Sequence, residues 1–316
     1  MKRLTKIVTQ INTDWKECVN NFILLKSAEG LSQRTIDDYK YHLCHFFNKY
    51  GNVLDDYEAL KKAVLEYFAE SSELAADTFN IRRKYLKCFF AWCLHEGIIP
   101  ANPLDTIHKK KSEGRIRPID TDTLEALLKL PDKNTYAGLR DYTLMLLSLD
   151  TGIRPSEALA LTVDDVNLKS QEIYIREEVA KTRVSRTLPI LKETALSLAK
   201  LIAITQKTWD TKNIFYTCEG NPMTINVWKQ RMWQYSKKLG KPISAYDLRH
   251  AFAIMYLRNG GDAFTLQRLM GHTDMEMTKR YLKFSQTDLQ NAHQTASPLN
   301  RLLPKKRRVR NIKPRD

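Results

Sequence analysis

Apolar positions in the first hundred residues recur at helical spacing. After Ser32, a residue suited to a helix N-cap, Ile36, Tyr39, Leu43, Phe46, Phe47 and Tyr50 share one face until Gly51 ends the run. A second helix is predicted over Leu60 to Phe68, with Val64, Leu65 and Phe68 on one side. A third runs from Asp77 to Glu96 with Gly97 as its stop, and Phe79, Leu86, Phe89, Phe90 and Trp92 are its apolar positions. Arg82, Arg83, Lys84 and Lys87 are interleaved with them. That helix packs one face and offers the other either to phosphates or simply to water.

Pro100 and Pro103 then interrupt regular structure. The polar, basic stretch that follows, with Lys109 to Lys111, Gly114, Arg115 and Arg117, is the best linker candidate. The expected division is a helical domain over 1–108, a linker over 109–117, a second domain over 118–295 and a tail over 296–316. The second domain opens with helices over Thr121 to Leu130 and up to Gly152. Two β-branched runs, Glu172 to Val179 and Ser185 to Leu191, flank a turn at Ala180 to Val184 and predict a hairpin. Helices are predicted again over Lys192 to Ile204, Thr224 to Leu239, Tyr246 to Asn259, Thr265 to Met270, and Met275 to about Gln290.

Charge narrows the partner. The 316 residues carry a net charge of +15, which favours a polyanion, either nucleic acid or an anionic membrane surface. From Pro298 onward, Arg301, Lys305, Lys306, Arg307, Arg308, Arg310, Lys313 and Arg315 face only Asp316. No apolar run reaches the roughly 18 residues of a membrane span, and the basic start from Met1 to Ile11 lacks a signal-peptide core. A cytosol-like compartment is expected. The five cysteines form no C-x-x-C pair, and His42, Cys44 and His45 lack a second ligand pair at zinc spacing, so reduced thiols and no metal site are expected. The absence of a GxxxxGK[ST] loop disfavours nucleotide hydrolysis.

Candidate chemistry lies in four segments of the second domain: Thr151-Gly152-Ile153-Arg154-Pro155-Ser156-Glu157, Tyr246-Asp247-Leu248-Arg249-His250, Leu269-Met270-Gly271-His272, and Lys279-Arg280-Tyr281. Each alone has an ordinary structural explanation; Tyr281, for instance, fits an apolar pattern with Met277 and Phe284. Asp164 and Asp165 are expected to cap or solvate a turn rather than bind Mg²⁺, and Glu157 to orient its neighbours.

In their joint order these segments resemble the tyrosine recombinase, or phage integrase, family, and LSQRTIDDYKYHLCHFF resembles its helical core-binding domain. The resemblance implies a mainly α protein. Its N-terminal core-binding domain would be SAM-like, and its catalytic domain mixed α/β with a small antiparallel sheet. Together they would form a C-shaped clamp on double-stranded DNA. It places the two family arginines at Arg154 and Arg249, the lysine at Lys181 in the hairpin turn, the histidine at His272 and the nucleophile at Tyr281. Arg183 and Arg186 are rivals of Lys181. The family usually has histidine three residues before the second arginine; here that position is Tyr246, a poorer base because a phenol ionises near pH 10. The implied chemistry is attack by Tyr281 on a backbone phosphate held by two guanidiniums, with Lys181 as the acid and His272 donating to a phosphate oxygen. Nearby positive charge is expected to favour the Tyr281 phenolate. Exchange of one phosphoester for another needs no nucleotide cofactor.

The resemblance also implies a monomer free in solution that assembles as a homotetramer on paired sites near the nucleoid, with an accessory bending or directionality factor as an option. Tyr246 and the basic tail incline the biology toward a mobile-element integrase; a Xer-like resolvase, a type IB topoisomerase, a metal-dependent nuclease and a catalytically dead regulator are the rivals. Leu289, Leu299, Leu302 and Leu303 are candidates for docking on a neighbouring protomer. Truncation after about residue 295 is therefore expected to weaken assembly more than single-duplex binding. Gel-shift titrations measure both, and equal loss of the two would contradict a docking role.

Overall fold

Helix caps and apolar stripes set the elements of the first part of the chain. The computed structural model describes residues 14–112, 118–282, 290, 293–294 and 297–302, and the chain divides into two compact units, Met1–Glu113 and Gly114–Asp316. In the first unit, α1 (Trp15–Ala28) precedes α2 (Gln33–Tyr50), α3 (Tyr57–Glu70) and α4 (Ala76–His95). Ser32 caps α2 by accepting from the Thr35 amide at 3.4 Å. Helix α1 was not among the predicted elements. It buries Cys18, Val19, Phe22 and Ile23, a narrow stripe in which Phe22 meets Tyr39 and Phe89 edge-on at 5.2 and 5.4 Å. The core is an aromatic cluster of this kind, with Phe46, Phe47, Phe89 and Phe90 almost wholly shielded.

Two expectations about this unit need correction. Arg83 does not lie on a free basic face: it is buried, and its Nε donates to the Ile107 carbonyl at 2.5 Å. It belongs to the buried side of α4 with Phe79, Tyr85 and Leu86. Lys84 is exposed, Lys87 pairs with Asp105 at 2.7 Å, and Arg82 donates to Ser71 at 3.0 Å. The first residues of the expected linker are also docked. Asn80 on α4 pairs with both the carbonyl and the amide of Lys110, at 2.8 and 2.9 Å. Residues 113–117 lie outside the described ones, as do Phe284, Leu289, Leu303 and the basic tail beyond Leu302.

The second unit contains α5 (Thr121–Lys129), α6 (Tyr136–Thr151), α7 (Pro155–Leu159), β1 (Val166–Asn167), β2 (Glu172–Ile175) and β3 (Arg186–Pro189). These are followed by α8 (Lys192–Thr208), α9 (Ile225–Leu239), α10 (Ala245–Arg258), α11 (Ala263–Met270) and α12 (Met275–Lys279). This is the mainly helical fold with a small antiparallel sheet that the sequence predicts. The strand order is β1-β2-β3, with Ile173 opposite Leu188 and both turned into the core. The hairpin is shorter at its paired end than the β-branched runs suggest, because residues 176–185 leave the ladder and form a long loop. Asp165 caps the turn after α7, accepting from the Thr162 amide at 2.8 Å, and Asp164 pairs with Lys212.

Helix α6 ends at Gly152 in the left-handed conformation, φ +63°, and a Cβ there would overlap the Phe252 ring on α10. Gly152 thus combines the positive φ that turns the chain toward Arg154 with a close approach to the Phe252 ring. Gly152→Ala is expected to destabilise the protein by on the order of 3 kcal/mol, read as a fall in unfolding midpoint. A loss below about 0.5 kcal/mol, within the range of ordinary surface substitutions, would show that neither strain nor overlap matters there.

Candidate active site

Pro155 fixes the first turn of α7 and makes Arg154 its N-cap, so the Arg154 side chain leaves the helix start beside the third helical residue, Glu157. The Glu157 carboxylate is wholly buried. Its Oε2 accepts from the Arg154 amide at 3.2 Å, and its Oε1 pairs with the Arg154 guanidinium at 2.8 Å. From β3, Arg186 reaches the same carboxylate at 2.6 Å and donates its Nε to the Leu269 carbonyl at 2.9 Å. Burial alone would raise the Glu157 pKa, but Arg186 and then Arg154 oppose it, and the carboxyl sits below its ordinary range. Glu157 is the orienting partner that its position predicts. Arg186, considered above only as a rival of Lys181, is instead a half-buried strut between β3, α7 and α11.

Arg249 comes from the middle of α10 and is also buried. Its guanidinium donates to the carbonyls of Gly152 and Met270, the latter at 2.8 Å, and to His272 Nε2 at 3.1 Å. Arg154 donates to the neighbouring Gly271 carbonyl at 2.8 Å. The C-terminal end of α11 therefore binds both arginines through consecutive carbonyls. Gly271 closes that helix at φ +60°, with its Cα hydrogen side against Arg186. Burial, and then the adjacent Arg154 charge, lowers the Arg249 pKa to about 9, still charged at neutral pH.

His272 is committed at both nitrogens. Because a guanidinium only donates, Nε2 accepts from Arg249, and the proton on Nδ1 goes to Thr278 Oγ1 at 2.8 Å. Burial first, then Arg249 and Arg154, lowers its pKa to about 4. In this arrangement His272 does not offer the donor expected for a phosphate oxygen; it would have to exchange its Arg249 contact to do so. Arg249 sets this tautomer, wholly buried Thr278 accepts the remaining proton, and no local sequence signal marks Thr278 for that role.

Tyr281 is placed by a turn, not by the long helix predicted through it. Helix α12 stops at Lys279, and the Tyr281 amide donates to the Thr278 carbonyl at 3.0 Å. The Tyr281 ring lies parallel to that of His272, with centroids 6.4 Å apart, and its hydroxyl is 2.8 Å from His250 Nδ1. Its pKa is raised, because burial outweighs the opposing charges of Arg249, Arg280 and Arg154. The expected phenolate is thus replaced by a neutral phenol. His250 was noted in the sequence only as standing next to Arg249.

Two predicted residues stay outside this cluster. Lys181 is exposed in the loop between β2 and β3, and its neighbours Thr182 and Ser185 line an open cleft of about 750 Å³ that reaches Gly271 and His272. Tyr246 is exposed on the first turn of α10, three residues before Arg249. No group of three or more His, Cys, Asp or Glu among the described residues is arranged to hold a metal ion, and no described helix is long and apolar enough to cross a membrane.

Comparison with known proteins places this arrangement in context. The model of the phage integrase family matches residues 117–287. The tyrosine recombinase XerD of Ralstonia nicotianae is 30% identical over 283 residues, covering 85% of this chain and 90% of that protein. The tyrosine recombinase XerC of Chlamydia caviae is 28% identical over 247 residues, 76% of this chain and 78% of its own. Among solved structures, the Tn1549 transposon integrase in complex with a circular intermediate DNA superposes with a TM-score of 0.71 at 18% identity, over 90% of this chain and 99% of that one. A lambda integrase dimer bound to a core site gives 0.67 at 18% identity, over 83% and 96%.

The two lowered histidine pKa values have a consequence for stability. His272 and His250 both bind protons less readily in the fold than in the unfolded chain. The His272 contribution is therefore complete above about pH 6.5 and is lost as pH falls toward about 4, and His250 adds to it in the same direction. The unfolding midpoint should drop across that window, and His272→Asn should flatten the drop. An identical slope in the variant would show that His272 is not the buried neutral group described.

Proposed function

This chain belongs to the phage integrase family and is a tyrosine recombinase, a DNA strand-transferring enzyme; from that premise we propose that Tyr281 is its nucleophile and Arg154 and Arg249 its phosphate ligands. The observation that carries this assignment is a charge imbalance. Arg154, Arg186 and Arg249 are gathered around the single carboxylate of Glu157, with two neutral histidines beside them. An anion is needed to complete the site, and the tyrosine hydroxyl faces it from the same cluster.

In the proposed reaction the Tyr281 oxygen attacks phosphorus, a 3′-phosphotyrosine forms, and the bond from phosphorus to the 5′-oxygen breaks. Arginine suits the two phosphate positions because its fork donates two hydrogen bonds while remaining charged. Lys181 protonates the leaving oxygen, the loop from 176 to 185 carrying it over the cleft. Tyr246 donates a hydrogen bond to a phosphate oxygen without acting as a base. Residues 1–108 serve as the core-binding domain and 118–295 as the catalytic domain on double-stranded DNA. Of Arg82, Arg83, Lys84 and Lys87 on α4, Lys84 is the exposed one and would make the phosphate contact there. Four protomers assemble across two sites, and an accessory factor sets direction.

Within the family we favour a mobile-element integrase, on the Tyr246 departure and the basic tail. The Xer relatives along most of the chain favour the second reading, a resolvase of chromosomes or plasmids. Recombination of two selected sites on one plasmid without any element-encoded partner would support the resolvase.

A duplex selected from a randomised library by binding, then nicked at successive central positions, tests the enzyme. The protein should become covalently linked to one strand, and Tyr281→Phe should abolish the adduct. Arg249→Ala should slow adduct formation on the order of 10²–10³-fold. An adduct that survives Tyr281→Phe would contradict the assignment, and binding without any adduct in the parent protein would support a regulator.

A further inference from the structure

A neutral phenol must lose a proton as it attacks, and the usual imidazole is missing from position 246. Tyr246 is itself a phenol and is exposed to solvent. One phenol has no site basic enough to take the proton of another at neutral pH. His272 has neither nitrogen available, since one accepts from Arg249 and the other is held by Thr278. His250 is different. It lies four residues after Tyr246 on α10, one turn along the same helix face, and its Nδ1 stands 2.8 Å from the Tyr281 hydroxyl.

We propose that His250 is the catalytic base of this recombinase, accepting the phenolic proton of Tyr281 on Nδ1 as the oxygen attacks phosphorus. The inference rests on Tyr281 being the nucleophile. The groups facing the imidazole are Asp247 and Arg249 from α10 and Arg280 and Tyr281 from the turn after α12. Burial first, then Arg249 and Arg280 against the opposing Asp247, favours the neutral imidazole, and in its Nε2–H tautomer Nδ1 offers the phenol a lone pair. The step balances. The proton passes from the Tyr281 oxygen to Nδ1 while the oxygen–phosphorus bond forms. The electron pair of the breaking bond leaves with the 5′-oxygen, which takes a proton from the Lys181 ammonium. Rejoining reverses both transfers and restores a neutral His250.

The test measures covalent adduct formation on the selected, nicked duplex. His250→Ala is expected to keep the parent's affinity for the unnicked duplex and to form adduct about 100-fold more slowly, the range of a general base. The deficit should shrink at least about tenfold when Tyr281 is replaced by a fluorinated tyrosine of lower pKa, because a more acidic phenol depends less on a base. A structural role would leave the deficit equal with both phenols. If His250→Ala loses affinity for the duplex, His250→Gln carries the same comparison. Adduct formation at or above the parent rate, or a deficit of the same size with either phenol, overturns the proposal. An adduct that persists in Tyr281→Phe would instead remove the nucleophile assignment on which it rests.

Discussion

One buried carboxylate fastens the site together. Glu157 is fully shielded from water and shared by Arg154 from the start of α7 and Arg186 from β3, with Arg186 also holding the end of α11. Removing a charge from water is expensive, and a pair broken by loss of one partner typically costs about 3–5 kcal/mol. The geometry is therefore held from two sides: if either guanidinium turned away, the buried carboxylate would keep a single cation. Through this contact α7, the sheet and α11 are placed relative to one another, and the α11 carbonyls in turn orient Arg154 and Arg249.

The same contact leaves the cluster short of negative charge. One carboxylate balances only part of the charge of three guanidiniums, and the nearby histidines are kept neutral by burial and by those same cations. In the proposed reaction a phosphodiester supplies the missing charge and meets guanidiniums already held in place by backbone carbonyls, which is the condition for electrostatic stabilisation of a transition state. Burial also explains why Tyr281 rests as a phenol. Positive charge nearby does not by itself ionise Tyr281, so proton removal has to be coupled to attack.

Much of this was legible in the sequence. TGIRPSE encodes a left-handed helix end followed by a proline-started helix, and that local geometry presents Arg154 beside Glu157. The strong stripe of α2 likewise announces its helix, and the aromatic positions of α4 announce that one. Other features depend on contacts between distant segments and left no local mark. Helix α1 has a weaker stripe that only the neighbouring aromatics complete. Arg83 looks like its basic neighbours until the chain at Ile107 returns to cover it. Periodicity carried the last helix through Tyr281, whereas α12 ends at Lys279 and a turn presents the hydroxyl to His250. Thr278 and Arg186 act through hydrogen bonds to residues brought near only by folding.

The central claim is that Arg154 and Arg249 neutralise one attacked phosphate. A duplex carrying a methylphosphonate at the cleaved position removes that negative charge and changes little else. Cleavage rates of Arg154→Ala and Arg249→Ala, each relative to the parent, compared on the ordinary and the neutral linkage give the direct answer. The account predicts that both deficits shrink markedly on the neutral linkage. Deficits of unchanged size on the two substrates would mean that the arginines do not act on the charge of the reacting phosphate.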